Sequence, residues 1–132
     1  MAWRGGILLA GDLVALTIFS LLGRGSHGMT LGLPEIVRTG LPFAAAWLVV
    51  GAVTGGFRSR TEPPAPGTAA LQVLQRYIVA GPLALIGRSL WLGRPIVPSF
   101  AAVALSTSLL LLVAWRAVYA WWCSRSRPDG TR

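Results

Sequence analysis

Residues 5–23 read GGILLAGDLVALTIFSLLG, about 19 positions with one charge among them, Asp12. At 1.5 Å per residue a helix of that length reaches ~28 Å, close to the ~30 Å hydrocarbon thickness of a bilayer. Arg4 leads into the run, and Gly-Arg-Gly-Ser-His-Gly follows it at residues 23–28. A cleaved signal peptide would also begin with a basic residue. Its apolar stretch would be only ~7–15 residues, however, and would end in a small-x-small cleavage site, which is missing here. The stretch therefore reads as a retained transmembrane helix.

Three more apolar runs follow. The second span, about 39–57, holds LPFAAAWLVVGAVTGGF at residues 41–57, with Pro42 placed where a first helical turn tolerates it, and the run stops at Arg58-Ser-Arg60. Residues 61–68 (TEPPAPGT) carry three prolines and a glycine, which reads as a linker. The third run, 69–92, is less apolar because it holds Gln72, Gln75, Arg76 and Arg88, and Pro82 predicts a kink after Gly81. The fourth, 98–122, contains LLLLVAW and ends in Trp115, Tyr119, Trp121 and Trp122, which suit a membrane interface. Residues 123–132 read as a short, basic, disordered tail. The expected fold is an all-α, four-helix transmembrane bundle.

Composition agrees with that reading. Hydrophobic residues make up 54% of the 132 positions and charged ones 12%. A soluble domain of this size carries about twice that charge and needs a polar exterior. All 12 basic residues are Arg, against four acids, for a net charge of +8. The arginines stand at the ends of apolar runs, so they read as headgroup anchors and not as a nucleic-acid surface. One Cys and one His leave the single chain without an ordinary metal-ligand set, and no cofactor is expected.

Four spans put both chain ends on one side. That side would hold Arg4, Arg58, Arg60, Arg125, Arg127 and Arg132, with Arg76 and Arg116 just inside it. The other would hold Arg24, Arg38 and Arg94, with Arg88 nearby. The bias predicts both ends in the cytoplasm and a multi-pass protein of the cytoplasmic membrane.

Depth then groups the polar residues. Asp12, Arg76 and Arg116 each lie about six or seven residues inside the same end, which is one layer ~9–11 Å deep. An isolated charge at a helix centre costs ~2.5–3.5 kcal/mol, so Asp12 is expected to face the interior and pair with Arg116, Arg76 or both. Such a cluster serves either as a packing clamp or as a proton relay or anion site. On the opposite side Arg24, Ser26, His27 and Arg88 form a second polar group, fit either to anchor loops or to hold a headgroup or small anion. Gly51 and Gly55 form a GxxxG pattern, and Gly81-Pro82 a second small-residue feature, both suited to helix packing. No motif for a phosphate loop, a dinucleotide or a hydrolase nucleophile is present.

Several segments together resemble a known family: Gly11-Asp12, Gly23-Arg-Gly-Ser-His-Gly28, Leu41-Pro42-Phe43 with Trp47, Gly81-Pro82 followed by Arg88, Pro98-Ser-Phe100, and Trp115-Arg116. They are similar to a prokaryotic family of small four-helix membrane proteins classed as a domain of unknown function. The resemblance runs from about residue 10 to 119. It implies a fold and a location without an activity, and it favours Arg116 over Arg76 as the partner of Asp12. The leading expectation is a non-enzymatic membrane component that packs with a partner protein, with a second copy or with lipid. A small proton-coupled carrier using Asp12 is the alternative, and a lipid-modifying enzyme comes third.

Overall fold

The computed structural model describes residues 2–26, 28, 32–58 and 64–126, and omits the side chains of residues 2, 3, 24 and 26. Four helices run in sequence: α1 (Ala2–Ser26), α2 (Leu33–Thr54), α3 (Pro66–Leu92) and α4 (Pro98–Arg125). No strand occurs among the described residues. All four are long and apolar enough to cross a membrane, and α3 has the lowest mean hydropathy, 1.4 against 1.7–2.0. This is the all-α class, and four such helices suggest a multi-pass membrane protein.

Each helix packs on its sequence neighbours, and α4 closes the ring on α1, while among the described residues no diagonal pair of helices comes together backbone to backbone. The start of α1, the end of α2, the start of α3 and the end of α4 share one end of the bundle, where α1, α3, α4 and the turn after α2 line one cavity. The core is built from Leu16, Phe19, Phe43, Trp47, Val73 and Leu112. Buried alanines such as Ala46, Ala80, Ala84 and Ala104 let the backbones approach closely. Aromatic pairs bridge neighbours, with Phe19 edge-on to Phe43 at 4.8 Å and Trp47 at 6.4 Å from Tyr77. The outward faces are apolar as well: Val53, Ile78 and Leu90 are at least 67% exposed. Helices apolar on every side need lipid or protein around them.

Besides α1, which runs three residues past the expected 5–23 at each end, the boundaries differ from the sequence reading in four places. The first is the start of α2, at Leu33 and not near residue 39, with Pro34 in its first turn and Pro42 inside the helix. Glu35 therefore stands in that first turn, where the helix dipole favours a carboxylate, and joins Asp12 as an acid within a candidate span. The second is the end of α2, at Thr54, because Gly55 turns left-handed at φ 74°. The third is α3, which begins at Pro66, within the proline-rich stretch, since proline is tolerated at a first helical position; the helix then runs through Pro82 to Leu92. The fourth is α4, which continues to Arg125, past Cys123, into the expected tail, while residues 127–132 lie outside the described ones.

Candidate functional site

Two dipeptides lock α1 to α4. Gly11 lies against the Trp115 indole so closely that a Cβ at Gly11 would overlap the ring. One position on, Asp12 is fully buried and meets Arg116, itself 7% exposed. Glycine lets the bulky ring close the interface, and that closeness brings carboxylate and guanidinium together.

The ion pair is forked. Arg116 Nε donates to Asp12 Oδ1 at 2.9 Å, and Nη2 makes a short hydrogen bond to Oδ2. Trp47 Nε1, from α2, donates to the same Oδ2 at 2.8 Å. The third guanidinium nitrogen, Nη1, donates to the Gly56 carbonyl at 3.1 Å. The Phe57 ring lies 5.6 Å from the guanidinium carbon, within cation–π range. Two parallel charge-assisted bonds with satisfied neighbours are the geometry that offsets desolvation of a buried pair.

The turn after α2 is what presents that carbonyl. Gly56 N–H donates to Gly51 O at 2.6 Å and Gly55 N–H to Ala52 O at 3.4 Å, the two bonds of a Schellman cap. The cap folds Phe57 back onto Gly51, whose missing side chain makes the room. Gly51 and Gly55 thus serve the end of α2 itself, one by admitting Phe57 and the other by its positive φ.

Beside the lock, four arginines gather. Arg4, Arg58, Arg76 and Arg116 line a cavity of about 60 Å³ at this end of the bundle, and Asp12 is not part of its wall. Arg76 is directed to α2, with Nε donating to Thr54 Oγ1 at 2.9 Å. It shares the cavity with Arg116, while the bonds to the Asp12 carboxylate come from Arg116 and Trp47.

A model of one protein family matches residues 9–119, which take in the Gly11-Asp12 and Trp115-Arg116 dipeptides and the turn at Gly55-Gly56. The chain belongs to DUF3054, a family of proteins of unknown function. Neither the curated proteins nor the solved structures contain a match. The DUF3054 segment therefore spans the whole lock, including Trp47, and leaves Arg4, Leu8, Ala120 and Cys123 of the cavity outside.

The second polar group expected from the sequence is only partly visible. His27 and the side chains of Arg24 and Ser26 lie outside the described residues. Arg88 stacks over Phe100 at 4.1 Å, tying α3 to α4 near the opposite end. Between the two ends Tyr77 OH donates to Ser108 Oγ in a short hydrogen bond, and Ser108 donates on to Ala104 O at 2.6 Å. Gly81 sits where a Cβ would come within 3.0 Å of Tyr77 on its own helix and of Leu105 on α4, whereas Pro82 is exposed. Among the described residues no three His, Cys, Asp or Glu side chains gather as metal ligands would.

Sequence reasoning missed Trp47 as a partner of Asp12. The signal was available, since Trp47 lies seven residues before the end of α2, at ~10 Å by helical rise, in the same layer as Asp12 and Arg116.

Proposed function

We propose that this DUF3054 protein is a non-enzymatic, multi-pass component of the cytoplasmic membrane, with both chain ends in the cytoplasm. The Asp12–Arg116–Trp47 lock would fix the bundle, and its apolar outer faces would pack against lipid, a second copy or another membrane protein. One observation carries the reading: Asp12 is fully buried, and both its oxygens accept bonds from side chains of the bundle. A proton carrier needs its titrating carboxylate within reach of water, and the cavity wall stops at Arg116. The surplus of arginines at the end shared by α1 and α4 supports the orientation.

The test uses the full chain in sealed proteoliposomes and in detergent. The wild type is expected to carry no proton flux, and Asp12→Asn is expected to lower thermal stability. A pH-driven flux in the wild type that Asp12→Asn abolishes without unfolding would replace the packing role with the carrier.

A further inference from the structure

Two side-chain amides occur in the chain, Gln72 and Gln75, and both stand on α3, three positions apart. That spacing puts them on one helix face. With Val79, one turn after Gln75, they line a groove of about 370 Å³ between α2 and α3, on the outside of the bundle. Its other wall is α2, where Val49 and Val53 follow each other one turn apart. Ala45 precedes them by a further turn and is exposed, so this stripe of α2 carries only short side chains.

Depth makes Gln75 the odd member of that face. α3 has 27 residues, ~40 Å, so a ~30 Å hydrocarbon layer centred on it begins ~5 Å from the helix start. Gln75 comes nine residues after Pro66, which is ~13 Å along the helix and ~8 Å below that boundary. Its side chain is exposed and makes no hydrogen bond among the described residues. The neighbouring Arg76 differs, since its Nε donates to Thr54 Oγ1. Acyl chains neither donate nor accept hydrogen bonds, and water is absent at that depth, so the Gln75 amide calls for a protein partner.

An amide is its own complement, because it carries both donors and an acceptor. A two-fold axis brings the same patch of two copies together. Copies inserted in the same sense have that axis along the membrane normal, and Gln75 then stands at equal depth in both. The donor of each amide meets the acceptor of the other. Around the pair, the valines have little rotamer freedom to lose, and Ala45 lets backbones approach. The outward faces of α1 and α4 instead carry Leu13, Ile18, Leu110 and Trp121, which lipid chains solvate as they stand.

We propose that a second copy of this chain fills the α2–α3 groove, each α3 lying against the groove of the other copy with the two Gln75 amides paired across the axis. A second copy is one of the partners that the packing role leaves open, so the dimer rests on that reading and names its partner.

The test uses the full chain, labelled at its amino terminus, in phosphatidylcholine–phosphatidylglycerol vesicles. Energy transfer between copies is followed as protein is diluted into lipid. The wild type is expected to dimerise, and Gln75→Leu to weaken association roughly five- to thirtyfold, the worth of one interhelical polar contact. Gln75→Asn, which keeps an amide, is expected to retain part of it. Position 75 is exposed, so the unfolding midpoint of Gln75→Leu in detergent should not fall. In a Cys123→Ser background, Val79→Cys is expected to give a disulfide-linked dimer on oxidation, and Val14→Cys, exposed on α1, is not. A chain monomeric at every dilution, a dimer as tight in Gln75→Leu as in the wild type, or cross-linking through Val14→Cys instead overturns the dimer. So does a monomer that retains phosphatidylglycerol in native mass spectrometry and loses it in Gln75→Leu, which assigns the groove to lipid. None of these outcomes touches the packing role of the lock, which falls only to a proton flux through the wild type.

Discussion

Asp12 and Arg116 stand 104 residues apart in the chain and share two parallel hydrogen bonds across the α1–α4 interface. Their contact closes the ring of helices, since it ties the first helix to the last. Removing one member leaves the other buried and unpaired. Asp12→Asn and Arg116→Gln are each expected to cost about 3–5 kcal/mol. Chemical denaturation in detergent should show the Asp12→Leu/Arg116→Leu double variant closer to wild type than either single leucine change. Simple additivity of the two would contradict a coupled pair.

Trp47 adds a third helix to the same carboxylate. Trp47→Phe keeps most of the ring volume and removes the donor to Asp12, so a loss of about 1.5–3 kcal/mol is expected. A double-mutant cycle with Asp12→Leu should find a coupling comparable to that loss. Zero coupling would mean that the indole contributes packing alone.

Gly11 and Gly6 give a paired steric test on one helix. A Cβ at Gly6 meets nothing within 4 Å, whereas one at Gly11 runs into Trp115. Gly6→Ala is expected to be neutral or stabilising by up to about 1 kcal/mol, and Gly11→Ala to destabilise by about 1–3 kcal/mol. Trp115→Leu should recover part of the Gly11→Ala loss; if it instead adds in full, the two residues are not in contact.

The proposed orientation predicts a labelling pattern. In a Cys123→Ser background, Arg94→Cys should react with a membrane-impermeant maleimide in intact cells, and Arg125→Cys only after permeabilisation. The reverse pattern would place both chain ends outside.

Tyr77 and Ser108 link α3 to α4 midway along the bundle. Tyr77→Phe should cost about 1 kcal/mol in chemical denaturation in detergent, the net worth of a neutral hydrogen bond. An unchanged stability would mean that the hydroxyl adds nothing to the packing of the ring.

Much of the lock could be read from spacing. Asp12, Arg116 and Trp47 fall in one layer because helical rise converts residue counts directly into depth. Gly11 against Trp115 could not be read in the same way, because which faces meet depends on how α1 and α4 are rotated. The pattern Gly51-x-x-x-Gly55 suggested a helix interface, and that α2 ends within it was not legible, since a string of letters does not reveal the sign of φ at Gly55. The separate arginines were visible as orientation signals, but their gathering at one turn was not. Arg58 and Arg76 flank the proline-rich linker and come together only when α2 and α3 pack side by side.

What the sequence alone determined was the set of four apolar helices and the scarcity of charge within them, because hydropathy and length are local properties of the chain. Which guanidinium meets Asp12, which glycine admits an aromatic ring, and that four arginines share one cavity were decided by the tertiary structure. Those relationships depend on helix rotation and close approach between segments up to 104 residues apart, which are set by side-chain packing across the whole ring.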